Sequence, residues 1–148
     1  MGDVHIGKLD NTIIIGYRYF PIIQFFSLDD YSVKHWSLDF DKNDIPTRID
    51  GDDNAEYGII PNQVKRCFNK AYCSENRLYL LYDGNLYDPY NHKGNGSTII
   101  SFDSDHNVRQ YNLPFPVGTI AIDEDDKWLY AHNTNGAKDV YWRFDLEL

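Results

Sequence analysis

Asn76-Arg77-Leu78-Tyr79-Leu80-Leu81-Tyr82-Asp83-Gly84 leaves a polar turn, runs through five consecutive apolar or aromatic residues and closes on Asp-Gly. The run is shorter than a typical helix and has no polar face, so it predicts a strand covered on both sides. The same phrase occurs twice more. Leu9-Asp10-Asn11-Thr12-Ile13-Ile14 and Asp125-Asp126-Lys127-Trp128-Leu129-Tyr130 align with Ser74-Glu75-Asn76-Arg77-Leu78-Tyr79, each a tight polar turn between two apolar strands. Thr12-Ile13-Ile14-Ile15 and Trp128-Leu129-Tyr130-Ala131 are also apolar on both faces, which predicts cover on both sides for them too.

Working outward, a third strand follows in each unit. Ile22-Ile23-Gln24-Phe25 aligns with Ile99-Ile100-Ser101-Phe102 and with Tyr141-Trp142-Arg143-Phe144. The first two units continue into Val33-Lys34-His35-Trp36-Ser37-Leu38 and Val108-Arg109-Gln110-Tyr111-Asn112-Leu113, matched position by position and read as the crossover between units. Phe25, Phe102 and Phe144 stand 77 and 42 residues apart, spacings that bracket the roughly 40–50-residue period of propeller repeats. A strand-only repeat whose faces all need cover predicts an all-β, β-propeller-like fold of about three four-stranded antiparallel blades. These would span residues 3–38, 62–113 and 117–148 of a single domain over 1–148. Asn62 to Asn69 reads as strand.

A net charge of −9 repels phosphate backbones, which argues against a nucleic-acid partner. No apolar run is long enough to span a bilayer as a helix. The opening Met1-Gly2-Asp3-Val4-His5 has neither the basic start nor the apolar stretch of an export signal. Cys67 and Cys73 fall in one extended segment, roughly 20 Å apart if fully stretched, and are expected as free thiols.

Two segments break the period: Asp39 to Pro61, an acidic stretch with Pro46 and Asp50-Gly51, and Asn85 to Ser97, with Asp88-Pro89 and Gly94-Asn95-Gly96. Long loops on a rigid scaffold are where binding concentrates. Tyr87, Tyr90 and His92 in the second loop are the candidate ligand-binding residues, able to stack on a sugar or a peptide. Asp103-Ser104-Asp105-His106-Asn107 has the carboxylate alternation of a calcium loop, but Val108 and Pro114 occupy the sixth and twelfth positions where Gly and Glu are needed. It reads as a hairpin turn, with Asn107 suited to the left-handed backbone. Asp50, Asp52, Asn54 and Glu56 could form at most a loose surface calcium site, while Asp123-Glu124-Asp125-Asp126 reads as a solvated turn. The five His residues show no zinc spacing, and there is no phosphate-binding loop or nucleophile elbow, so no metal, cofactor or catalytic residue is expected.

The strands from Asn76 to Gly84 and Ile99 to Asp105, then Val108 to Leu113, Ile120-Ala121-Ile122-Asp123 and Trp128 to Ala131, resemble the TolB-like six-bladed β-propeller family of predicted bacterial lipoproteins. The resemblance is good from Tyr72 onward and looser before it. It implies a scaffold or binding protein rather than a reaction, and a cell-envelope location. The chain departs from the family in showing about three blades, no export signal and no lipidated Cys. The expectation is a non-enzymatic propeller scaffold for a ligand, a glycan or a protein. It would be completed by self-association into a closed ring or by further blades of a longer chain. The alternative is a sugar-active enzyme of glycoside-hydrolase type, which needs Asp83 and Asp123 held together across a face.

Overall fold

The computed structural model of the chain describes residues 4–38, 64–88, 90, 95–133 and 140–147. These form strands with no helix among them, in three antiparallel sheets whose strand order follows the sequence. Sheet 1 holds β1 (Val4–Leu9), β2 (Thr12–Tyr17), β3 (Ile22–Ser27) and β4 (Val33–Ser37). Sheet 2 holds β5 (Phe68–Cys73), β6 (Arg77–Tyr82), β7 (Gly96–Asp103) and β8 (Val108–Val117), and sheet 3 holds β9 (Thr119–Ile122), β10 (Trp128–Asn133) and β11 (Val140–Asp145). The expected four strands per unit therefore hold for the first two sheets, and the third has three.

The sheets stack face to face with sheet 2 in the middle. Leu9, Ile14, Ile23 and Phe25 of sheet 1 form one core with Phe68, Leu78, Leu80, Ile100 and Phe102 of sheet 2. Tyr79, Leu81, Ile99, Leu113 and Val117, from the opposite face of sheet 2, form a second core with Ile120, Ile122, Leu129 and Ala131 of sheet 3. β6 thus serves both cores by strand alternation, which is why its sequence is apolar at every central position. Sheet 1 approaches sheet 2 closely at Gly7, where an added side chain would make the tip of Leu78 shift. A Cβ at Gly7 would stand 2.8 Å from Cδ1 of Leu78. The first strands lie side by side, β1 against β5 and β5 against β9, and His5 Nε2 reaches across to the Phe68 carbonyl at 2.9 Å.

Four local expectations change. β2 and β10 belong to the end sheets, so each is fully covered on one face only: Ile14 is buried with Ile13 and Ile15 half-buried, and Leu129 is buried with Tyr130 exposed. The third strand of sheet 1 is shifted by one residue. Ile13 pairs with Phe26, as Leu78 pairs with Phe102 and Leu129 with Phe144, so Phe26 and not Phe25 is the equivalent aromatic. Of the segment read as a strand from Asn62, only Phe68 onward is in β5. Residues 64–67 are joined to the loop after β6 by the Lys65–Leu86 bridge and backbone hydrogen bonds. Finally, the strand after Phe102 is the fourth of its sheet as expected, but it runs past the expected end at Leu113: β8 pairs with β7, continues to Val117 and turns at Gly118 into β9.

Candidate functional site

The two ends of the stack differ. At one end lie the tight connections β1–β2, β3–β4, β5–β6, β7–β8 and β9–β10. These carry Asp10, Asp29, Asp30, Glu75, Asp105, Asp123, Glu124, Asp125 and Asp126, joined by Asp103 at the end of β7, with Lys127 as their one Lys or Arg. Their carboxylates serve the turns. Asp103 accepts the N–H groups of Asp105 (3.1 Å) and Asn107 (2.8 Å) and the Arg77 guanidinium at 3.0 Å. Asp123 accepts the N–H groups of Lys127 and Trp128, both at 2.8 Å. Asp126 receives the Tyr79 hydroxyl at 3.1 Å and the Asn76 amide at 3.0 Å, joining sheets 2 and 3. The hairpin reading of 103–107 holds, with the left-handed residue at His106 (φ 68°) rather than Asn107. The imidazole of His106 lies 4.5 Å from the Phe25 ring, so this side chain is also used in packing.

At the other end, the loop end, lie the β2–β3 connection over 18–21, the segment that leaves β6 at Asp83, the start of β7 and the ends of β10 and β11 at Asn133 and Val140. Leu38 and Val64, which flank the undescribed segment 39–63, are at this end as well. The arm bearing Tyr87 is anchored residue by residue. Asp83 N–H donates to Cys67 O at 2.8 Å, Gly84 N–H to Arg66 O at 2.9 Å, Arg66 N–H to Asn85 O at 2.8 Å and Tyr87 N–H to Val64 O at 2.7 Å. These bonds prolong the β5–β6 pairing beyond the strands. At its root, Arg66 Nε meets Asp83 Oδ2 at 2.9 Å, with side chains 5% and 0% exposed. Asn69 Nδ2 donates to the same oxygen at 2.6 Å, while the Asn85 N–H (3.2 Å) and its side-chain amide take Oδ1. A carboxylate withdrawn from water needs such a set of partners, and with them it fixes the arm in one arrangement.

Tyr87 leaves this arm half-buried, its ring edge-on to Tyr19 of the β2–β3 connection with centroids 5.7 Å apart. Arg18 Cζ stands 5.6 Å from the Tyr19 centroid, within cation–π range. Tyr90 is 96% exposed, its N–H held by Asp88 Oδ1 at 2.8 Å. His92 lies outside the described residues, as do Asp50, Asp52, Asn54 and Glu56. The structure thus sets Tyr87 beside Tyr19 and Arg18, neither of which the sequence reading singled out, and leaves Tyr90 exposed. The available signal was Tyr17-Arg18-Tyr19-Phe20-Pro21, an aromatic run in a connection where Gly, Asn or Asp would be ordinary. Of the strand aromatics weighed as binders, Trp36 packs on Phe102 (5.1 Å), Tyr111 adjoins the second core, and Trp142 is 43% exposed beside Phe115.

Asp83 and Asp123 are not brought together. Asp83 follows β6 at the loop end and Asp123 follows β9 at the turn end. The strand between those ends spans roughly 20 Å, more than twice the widest separation that glycoside hydrolysis uses. Neither Cys67, buried, nor Cys73, exposed, is joined in a disulfide. Among the described residues, no helix is long and apolar enough to cross a membrane. No protein-family model matches the sequence, and no curated protein is significantly similar to it.

Proposed function

We propose that this chain is a β-propeller-type interaction scaffold, non-enzymatic, that binds a glycan or a peptide segment of a protein at its loop end. Successive sheets stacked face to face, with their first strands adjoining, support the propeller reading, as does the resemblance of the strand motifs to those of TolB-like propellers. The observation that carries the binding site is the Tyr19–Tyr87 pair. Two rings from different sheets meet on an anchored arm, beside the Arg18 guanidinium and the exposed Tyr90. Aromatic faces and edges with a nearby cation suit the apolar face of a sugar ring or a peptide side chain. Side chains positioned in advance lose little freedom on binding.

The test is calorimetric titration with linear oligosaccharides and with a peptide panel. A binder is expected whose affinity falls about tenfold in Tyr87→Ala, the equivalent of roughly 1.4 kcal/mol for one lost aromatic contact. Binding unchanged in Tyr87→Ala and in Tyr19→Ala would remove the site from this end. Turnover of any oligosaccharide would replace the scaffold reading with an enzymatic one, carried by residues other than the separated pair Asp83 and Asp123.

A further inference from the structure

The three sheets repeat in their faces as well as in their strands. Leu78, paired with Phe102, faces sheet 1, and Leu129, paired with Phe144, faces sheet 2. Their equivalents Ile13 and Phe26 lie on the face of sheet 1 turned away from sheet 2, together with Ile6 (64% exposed) and Val33 (48%). The opposite faces repeat too. Ile14 is buried against sheet 2 and Tyr79 against sheet 3, whereas their equivalent Tyr130 is 43% exposed on the far face of sheet 3. Sheet 1 thus presents outward the kind of face that sheets 2 and 3 turn to their predecessor. Sheet 3 presents the kind that sheets 1 and 2 turn to their successor. By strand register the two outer faces correspond to the two sides of an interface that the molecule already forms twice, with Tyr130, His132 and Tyr141 in sheet 3 standing where Tyr79, Leu81 and Ile99 stand in sheet 2.

Their relief agrees. Within the stack, corresponding strands lie over one another: a Cβ at Gly16 of β2 would stand 3.1 Å from Leu80 of β6, and Phe25 of β3 packs on Phe102 of β7 at 5.4 Å. On the outer face of sheet 1, at the loop end, Tyr17, Phe20, Ile22, Gln24 and His35 line an open apolar hollow of about 260 Å³. On the outer face of sheet 3, also at the loop end and on the corresponding third strand, Tyr141 stands 73% exposed, stacked on His132 at 4.7 Å. If two copies stacked strand over strand as the sheets do within the chain, that ring would fall over the hollow.

We infer that a second copy of this chain covers both faces, sheet 1 of each copy against sheet 3 of the other, closing a ring of six sheets about a two-fold axis. The inference rests on the propeller reading above. Closure satisfies every outer face at once, whereas a single head-to-tail contact leaves one bare at each end.

Light scattering across the micromolar range tests it. The expected result is a two-chain mass. Ile6→Asp and Tyr141→Asp, each at an exposed position of the isolated chain, should each give a folded one-chain mass with unchanged circular dichroism. Mixing the two should restore a two-chain species through the one intact pair of faces. Val33→Asp and Tyr130→Asp repeat the test on the same faces should either first variant misfold. A one-chain mass for the wild type overturns the inference. So does a dimer sensitive to only one face, which would mean like-face pairing, or a mass that grows beyond two chains. Tyr87→Ala should keep the two-chain mass, so failure of the ligand site and failure of ring closure are read separately.

Discussion

A single carboxylate shows how the acidic turns hold. Asp103 is shifted by opposing causes. Burial pushes its carboxyl up, but the Asn107 backbone and side-chain amides and the Arg77 guanidinium outweigh this and hold it below the ordinary 3.8. Its contribution is therefore complete above that ordinary value and is lost as the pH falls through the lowered folded value. Asp30 behaves alike in direction, its carboxyl held at about 2 by the Ser27 hydroxyl and then Ser32. Asp103→Ala should cost about 1–3 kcal/mol in urea denaturation at neutral pH, since it leaves Arg77 and two turn N–H groups short of a partner. The difference from wild type should shrink as the pH is lowered below 3.8. A difference that does not depend on pH would mean that the side chain acts by packing. The same turn also shows the limit of residue-level reading. The sequence offers His106-Asn107, and propensity favours Asn for the left-handed position, yet His106 takes it, with its ring seated against Phe25.

Strands are where reading the sequence succeeded best and also where it slipped. Turn residues at Asp10-Asn11, Glu75-Asn76 and Asp123 to Lys127 set the hairpins as expected, because a tight turn fixes the register of the strands it joins. Register slipped in β3. A one-residue shift moves every side chain to the other face, and a polar face normally prevents the error. Ile22, Ile23, Phe25 and Phe26 are apolar on both faces, so the pattern could not choose between Phe25 and Phe26. The start of β7 is fixed by a different constraint. A Cβ at Gly96 would stand 2.0 Å from the Tyr82 carbonyl oxygen, a backbone atom that cannot turn aside. Gly96→Ala should therefore destabilise by about 1–3 kcal/mol or more. A thermal melt should show the loss, and an unchanged midpoint would mean that this part of the β6–β7 pair can open freely.

At the scale of the whole molecule, sheets 2 and 3 are tied by the Tyr79 hydroxyl on Asp126 as well as by apolar packing. Burial, and then the Asp126 charge, raise the Tyr79 phenol above its ordinary 10.0. The folded state thus favours the protonated phenol. Stability should be full below pH 10.0 and decline as the pH rises above it. Tyr79→Phe should flatten that decline in urea midpoints measured across the alkaline range, and an unchanged slope would assign it to other tyrosines. The sequence by itself determined the all-β class, the hairpin turns, the threefold unit and the two-sided cover of β6, because turn chemistry and side-chain period are local properties of the chain. Only tertiary structure decided which sheets are terminal, and hence that Ile13 and Tyr130 face outward although their equivalents Leu78 and Tyr79 are buried. It alone brought Tyr19 to Tyr87, set Asp83 against Arg66 and separated Asp83 from Asp123. Each of these depends on how one sheet is stacked on the next, and the pattern within a single strand does not record which neighbour covers it.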